Sequence, residues 1–259
     1  MAGTSPTTSL VIFLCVTLAY FIAKYYIKSS ATTLTILYVL TVLVSQFFIN
    51  LSITGSICGT QQYGTALLTT LVPWILIFGS VMGILRLFPS WLSPFSNTIG
   101  YGVSYLAGIN SLFEQILTDR NAVKIQNKDK AGFVQAIDHI YDDKSVFINS
   151  LTLENLSDQW KSMKSVNLIK PSAGDVNGDL FNKLEHFIIM KNEVAEFIWY
   201  LLTGSLVTSL SYNSIVNAGC ELSAEEMKKR HDEYLAKEKE IAKQKEENSK
   251  SEMVYKTYD

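Results

Sequence analysis

The strongest constraint on this chain is the uneven distribution of its charged side chains along 259 residues. The formal net charge is only -2 and 18% of the residues are charged, yet residues 1–118 carry just Lys24, Lys28, Arg86 and Glu114. A helix surface that faces water needs polar side chains, and this part of the chain has too few. The sequence therefore predicts a membrane-embedded N-terminal part followed by a water-exposed region.

Three apolar tracts within residues 1–90 are long enough to cross a membrane. About 20 apolar residues in a helix span the ~30 Å hydrocarbon core of a bilayer, at about 1.5 Å per residue. We predict transmembrane helices over about 9–27, 31–53 and 67–88. A cleaved signal peptide is not favoured, because no positive charge precedes the first tract and no small-residue cleavage motif follows it.

Basic and aromatic residues predict where these helices meet the membrane surface. Lys24 and Lys28 lie at the joint of the first two tracts, and Arg86 lies near the end of the third. Trp74 and Trp91 bracket the third tract and are predicted at its two interfaces. Because basic residues mark the cytosolic side, the N-terminus and the uncharged second loop are expected on the opposite side.

Gly79 and Gly83 form a G-x-x-x-G pair within the third tract. Such a pair allows another helix backbone to approach closely, so it predicts a helix-packing seam. The alternative is that two glycines fall at this spacing by chance in a membrane helix.

Residues 91–117 remain apolar but are interrupted by Pro94 and several glycines. A straight transmembrane helix is not expected in such a segment. We predict a turn over residues 93–98 at the membrane interface, followed by a helix that lies on or partly in the membrane.

The second half of the chain has the apolar periodicity of ordinary amphipathic helices. Residues 118–192 are predicted to form a small helical polar domain. Residues 193–218 are a candidate fourth transmembrane helix, uncharged after Glu196 but rich in serine and threonine. Residues 219–259 form a charged helical tail, which opens with a capping box at Ser223 and Glu226. If residues 193–218 cross the membrane, this tail lies opposite the polar domain.

No residue pattern predicts catalysis or metal binding. The three cysteines, Cys15, Cys58 and Cys220, are odd in number and far apart, so we interpret them as small hydrophobic residues. The loop 174–179 begins like a calcium loop but lacks the required glycine and the final glutamate. We expect no enzyme activity, cofactor, metal site or nucleic-acid partner.

The tract 73–98, PWILIFGSVMGILRLFPSWLSPFSNT, precedes a helical region rich in lysine and asparagine. This combination resembles membrane-embedded proteins of the nucleocytoplasmic large DNA viruses. The resemblance implies a minor capsid protein in the host-derived internal membrane of the virion, which ties this membrane to the capsid shell.

The sequence thus predicts an all-α, multi-pass membrane protein, and we consider two alternative functions for it. The first is a structural anchor whose partners are the lipid bilayer and capsid or other membrane proteins, with a homo-oligomer as a further option. The alternative is a small oligomeric channel or transporter, in which the third tract and the helix near residues 197–217 would line a path.

Overall fold

The computed structural model describes residues 6–27, 31–126, 131–220 and 224–252. Within these ranges the elements are helical, and the extended pairing is limited to one antiparallel bridge between Leu117 and Ile169. The predicted all-α fold class is confirmed. Two predicted features, the interfacial Lys28 and the capping box at Ser223, lie outside the described residues.

Four helical stretches of the described chain are long and apolar enough to cross a membrane. They are formed by α1 (Pro6–Tyr26), by α2 (Ala31–Cys58), by α3 (Tyr63–Pro73) together with α4 (Ser80–Leu87), and by α12 (Asp179–Asn217). The protein is thus a multi-pass helical membrane protein, and the candidate fourth transmembrane helix predicted over residues 193–218 is the C-terminal part of α12.

The third of these stretches contains a π-helical turn, Trp74–Gly79, between α3 and α4. Pro73 ends α3, and a proline inside a helix has no backbone N–H to donate to the preceding turn. A wider turn accommodates such a disruption without ending the helix. The stretch therefore runs from Tyr63 to Leu87 and begins earlier than the sequence predicts.

The membrane helices pack side by side as a bundle: α1 contacts α2, α2 contacts α3, and α12 contacts α1, α2 and α3. Large apolar side chains point away from this bundle, including Leu37 at 59%, Leu68 at 64% and Leu76 at 65% exposure. Such an exposed apolar surface is expected where hydrocarbon, rather than water, is the solvent.

The segment after α4 is helical where a turn was predicted. A 3₁₀ turn (Pro89–Leu92) leads into α5 (Ser93–Phe95), a π-helical turn (Ser96–Gly100) and α6 (Tyr101–Leu106). The predicted turn over residues 93–98 is therefore wrong, because Pro94 lies in the first turn of a helix, where its missing N–H costs nothing. Contacts with α12 cover one side of this segment, and Leu106 at its end is 86% exposed.

The polar domain consists of short helices around the first part of α12. They are α7 (Ile109–Ile116), α8 (Arg120–Gln126), α9 (Ala131–Asp142), α10 (Lys144–Ser150) and α11 (Leu156–Ser165). Phe113, Trp160 and Leu184 are fully buried in its core. Since α7 belongs to this core, the domain begins near residue 109 rather than at the predicted residue 118.

A disulfide joins Cys58, the last residue of α2, to Cys220, three residues after α12, with 5.4 Å between their Cα atoms. The interpretation of these two cysteines as small hydrophobic residues is therefore wrong. Their separation of 162 residues concealed the pairing, because only the helix bundle brings them together. Cys15 is free and exposed on α1.

The charged tail forms α13 (Ala224–Glu252). Its side chains are exposed over residues 227–229 and 231–245, including the apolar Met227, Tyr234 and Ile241.

Candidate functional site

The membrane bundle and the polar domain share one helix. The N-terminal part of α12 supplies Phe181, Leu184 and Ile188 to the core of the polar domain. Its C-terminal part supplies Tyr200 and Val207 to the core of the bundle. A 39-residue helix is about 58 Å long at about 1.5 Å per residue, roughly twice the hydrocarbon thickness, so it can serve both cores.

Lys191 lies on α12 at the junction of the two parts and is only 3% exposed. Its ammonium group donates to the side-chain oxygen of Asn97 at 3.2 Å, the carbonyl oxygen of Ile148 at 3.1 Å and the side-chain oxygen of Asn149 at 3.2 Å. None of the ion pairs recorded among the described residues involves Lys191. All three ammonium protons thus meet neutral oxygens, which offsets part of the cost of burying this charge.

These acceptors come from two different segments. Asn97 belongs to the π-helical turn beside the bundle, and Asn149 belongs to α10 of the polar domain. The Asn149 amide also donates to the Asn97 carbonyl at 3.3 Å. Lys191 therefore fastens the polar domain to the membrane-proximal segment through hydrogen bonds that need all three elements in place.

The same segment approaches the backbone of α12 very closely at Gly100. A Cβ atom added at Gly100 would lie 2.4 Å from the carbonyl oxygen of Lys191, so any larger residue would push the two elements apart. The Ser96 hydroxyl donates to the side-chain oxygen of Asn192 at 2.7 Å, next to this contact. The glycine allows the buried lysine to reach its acceptors.

A cavity of about 690 Å³ lies at this junction. Its wall includes Lys191, Asn97 and Asn149, together with Leu87 from the end of α4 and Glu154 from the polar domain. The charged and amide groups give this cavity a polar wall. The Lys191 ammonium protons are already donated to protein oxygens and are not available to a ligand in the cavity.

Lys24 connects α1 to α12 at the same end of the bundle. Its ammonium lies 2.6 Å from a Glu196 carboxylate oxygen and 3.9 Å from one of Glu193, and its side chain is 20% exposed. The sequence predicts Lys24 as an interfacial residue, and this role stays a prediction. Its charge, however, is paired with acidic groups of α12 rather than left to lipid headgroups.

Hydrogen bonds between buried side chains link the transmembrane helices at successive depths. Polar groups in hydrocarbon must find partners within the protein, and such pairs hold membrane helices together. Three pairs join α1 to α2 and one joins α2 to α3: Ser9 with Gln46, Thr17 with Tyr38, Tyr20 with Thr35, and Asn50 with Thr70. Asn50 is 1% exposed, so its amide group is a packing element between α2 and α3.

Aromatic rings fill the centre of the bundle between these pairs. Phe13, Tyr38, Trp74, Phe78 and Tyr200 are each at most 3% exposed and contact one another with ring centroids about 5 to 6 Å apart. The centre of the membrane bundle is therefore packed rather than hollow.

The structure corrects the role predicted for Trp74. It lies near the middle of the Tyr63–Leu87 stretch and is 3% exposed, with its ring 5.4 Å from that of Phe13. It is a core residue, because α3 begins four residues before the predicted start and shifts Trp74 away from the interface. Trp91 is 51% exposed just after α4, and its interfacial role stays a prediction.

The two glycines predicted to form a packing seam do not contact another helix of the described chain. A Cβ atom added at Gly83 would meet nothing within 4 Å, and one at Gly79 would meet only the Trp74 carbonyl of its own turn, at 3.8 Å. Both glycines and Arg86 instead line a groove beside α2. The pair therefore marks a hollow and not a helix contact within the chain.

The close helix contact lies at Gly204 of α12. A Cβ atom at this position would lie 2.0 Å from the ring of Phe13, which is fully buried. The sequence signal for this contact was the run of small residues around Gly204, which suits a packed helix but does not identify its partner.

The polar domain carries an ionic cluster on its surface. Asp138 of α9 binds Lys124 at 2.5 Å and also pairs with Arg120, whose guanidinium donates to Asp142 at 2.7 Å. Hydrogen bonds from Lys124 and then Arg120 hold the pKa of Asp138 below its usual range. The cluster connects α8 to α9 on the polar side of the molecule.

Comparisons with known proteins give no further assignment: no protein-family model, curated protein or solved structure matches the chain.

Proposed function

We propose that this chain is a structural anchor in the internal membrane of a large DNA virus particle and ties that membrane to the capsid shell. The observation that carries the proposal is the unbroken helix α12, which belongs to the cores of both the membrane bundle and the polar domain. Because α12 is one continuous helix, a mechanical force on the polar domain is transmitted to the membrane bundle without an intervening loop in this helix. The viral setting rests on the resemblance of residues 73–98.

Charge and disulfide chemistry support one orientation. Lys24 and Arg86 lie at the polar-domain end of the bundle, which favours the cytosolic side for this end. The disulfide lies at the other end, and disulfides persist in oxidising compartments. The path from Glu196 to Asn217 along α12 is about 32 Å, close to the thickness of a hydrocarbon core. We therefore infer that the polar domain and α13 lie on opposite sides.

The surface of the polar domain offers apolar side chains for protein contacts. Ile125 is 71% exposed, Val146 47% and Leu153 48%, although this domain carries the charges expected of a water-exposed region. Apolar residues of this kind serve as contact points when a partner covers them. We propose capsid proteins as that partner, with the lipid bilayer around the four transmembrane helices.

The packed aromatic centre gives no support to a pore through one chain. Tyr38, Phe78 and Tyr200 meet in the middle of the bundle, where a conduction path would need polar or water-filled space. The channel alternative would have to place its path between chains.

Site-specific photo-crosslinking in assembled particles tests the anchor. A crosslinker replacing Val146 should capture a capsid protein, whereas one replacing Leu206, which is 60% exposed on the membrane part of α12, should capture lipid or membrane proteins. Stoichiometric co-purification of the chain with the capsid lattice would support the same conclusion. Ion flux above that of empty vesicles, without capsid crosslinks from Val146, would overturn the proposal in favour of a channel.

A further inference from the structure

A groove of about 380 Å³ runs along the outside of the bundle between α2 and the α3–α4 stretch. Its wall is apolar on the α2 side, and Gly79 and Gly83 form part of the other side. A Cβ atom added at Gly83 would meet nothing within 4 Å, so the groove is open at this position and another molecule can contact the helix backbone there. The groove lies within a transmembrane stretch, so its occupant comes from the membrane.

The length of the groove matches one leaflet of a bilayer. Its lining runs along the helix from Trp74 to Arg86, a distance of about 18 Å at about 1.5 Å per residue. Half of a ~30 Å hydrocarbon core is about 15 Å. The α3–α4 wall of the groove therefore extends from the middle of the membrane to the surface on the polar-domain side, as an acyl chain does. The α2 wall contributes about one helical turn, from Val39 to Leu43.

The groove is too narrow for a helix. A helix about 10 Å in diameter occupies roughly 1,400 Å³ over a length of about 18 Å, which exceeds the empty volume of about 820 Å³ that the groove offers. A second copy of the chain would rest on the rim and leave the hollow unfilled. A single hydrocarbon chain can enter it and makes dispersion contacts with both walls.

Arg86 supplies a positive charge at the surface end of the groove. It is exposed in the last turn of α4, and no hydrogen bond or ion pair recorded among the described residues engages it. Lys24, at the same end of the bundle, is paired with Glu196. A guanidinium binds a phosphate through two parallel hydrogen bonds, which a headgroup phosphate at this depth can accept.

We infer that this groove is a binding site for an anionic phospholipid of the leaflet on the polar-domain side. One acyl chain lies over Gly79 and Gly83, and the phosphodiester binds the Arg86 guanidinium. The anionic headgroup is preferred because Arg86 is the only charged side chain among the described residues that line the groove. The site does not depend on the anchor function, since it is defined by the bundle alone.

Native mass spectrometry of the purified, delipidated full chain in detergent tests this site. The chain is titrated with palmitoyl-oleoyl phosphatidylserine or with the phosphatidylcholine of the same acyl chains. We expect one phosphatidylserine retained about tenfold more tightly than phosphatidylcholine, and Arg86→Gln should remove this preference. Gly83→Leu should weaken retention of both lipids, because its side chain fills the groove.

Lys161→Gln is the matched control, since it removes one exposed positive charge from the polar domain, away from the groove. It should leave the preference unchanged. Thermal unfolding of each variant shows whether it is folded, and Arg86→Gln, at an exposed position, tests the headgroup contact even if Gly83→Leu unfolds. Equal retention of phosphatidylserine by wild type and Arg86→Gln would overturn the inference. So would a lipid-free dimer that Gly83→Leu dissociates, because the groove would then be a contact between copies.

Discussion

Replacement of Gly204 by alanine should destabilise the membrane bundle despite being the smallest available change. The new Cβ would lie 2.0 Å from the ring of Phe13, whereas ordinary contacts begin near 3.4 Å, so the ring must move by about 1.4 Å. Phe13 is fully buried and bounded by Trp74 at 5.4 Å and Phe78 at 6.1 Å between ring centroids. The ring therefore cannot move without displacing its neighbours.

The expected cost follows from two opposing effects. Overpacking a filled core costs about 1–3 kcal/mol, while glycine to alanine in a helix gains about 1 kcal/mol in helix propensity. We expect Gly204→Ala to lower the free energy of unfolding by up to about 2 kcal/mol, and to be about 1–3 kcal/mol less stable than a glycine-to-alanine change at an uncrowded helix position. Gly83→Ala is the matched control, because it lies in a transmembrane helix and meets nothing within 4 Å, so it should be neutral or stabilising.

A double-mutant cycle identifies Phe13 as the cause. Phe13→Leu removes ring atoms from the clash, so it should recover about 1 kcal/mol when combined with Gly204→Ala. Unfolding is measured in mixed micelles by titration with a denaturing detergent, followed by tryptophan fluorescence. If the effects of the two substitutions on the free energy of unfolding are additive, or if Gly204→Ala has the same effect as Gly83→Ala, then Gly204 and Phe13 are not in contact. The close packing of α12 against α1 would then be wrong.

Three further predictions concern the disulfide, the buried lysine and the polar-domain cluster. A maleimide mass tag should label one cysteine of the denatured chain before reduction and three after it, and three labels without reduction would exclude the disulfide. Replacing Cys58 and Cys220 by serine should lower the free energy of unfolding by about 2 kcal/mol, as measured by the same detergent titration. Lys191→Met should cost about 1–3 kcal/mol, because it removes the hydrogen bonds to the side-chain oxygens of Asn97 and Asn149 and to the Ile148 carbonyl. An unchanged thermal midpoint would contradict the role of Lys191 in joining the polar domain to the membrane-proximal segment. The pKa of Asp138 is lowered in the folded protein, so its stabilising effect is present above the unfolded value of about 3.9 and is lost as the pH falls through the folded value. The protection of α8 amides against hydrogen exchange, relative to an unstructured peptide at the same pH, should therefore decrease below about pH 4. Asp138→Asn should show the lower protection already at neutral pH.

The sequence alone determined the helical class, the positions of the first three membrane helices and the candidate fourth. These features depend on the bilayer, which imposes a minimum apolar length and excludes charge irrespective of how the helices pack. The polar domain is also recognisable from its periodicity, although the sequence predicts its start at residue 118. By sequence α7 resembles a helix on the membrane surface, whereas in the structure Phe113 and Ile116 place it in the core of the domain.

Which residues contact one another follows from the packing of the helices and not from local sequence patterns. Gly79 and Gly83 match a packing motif but face a groove, whereas Gly204 matches none and contacts Phe13. The pairing of Cys58 with Cys220 and the burial of Lys191 likewise depend on segments far apart in sequence. Periodicity shows which face of a helix is apolar, but the choice of neighbour depends on the rotation and depth of every helix in the bundle, and these are fixed only when all of them pack together.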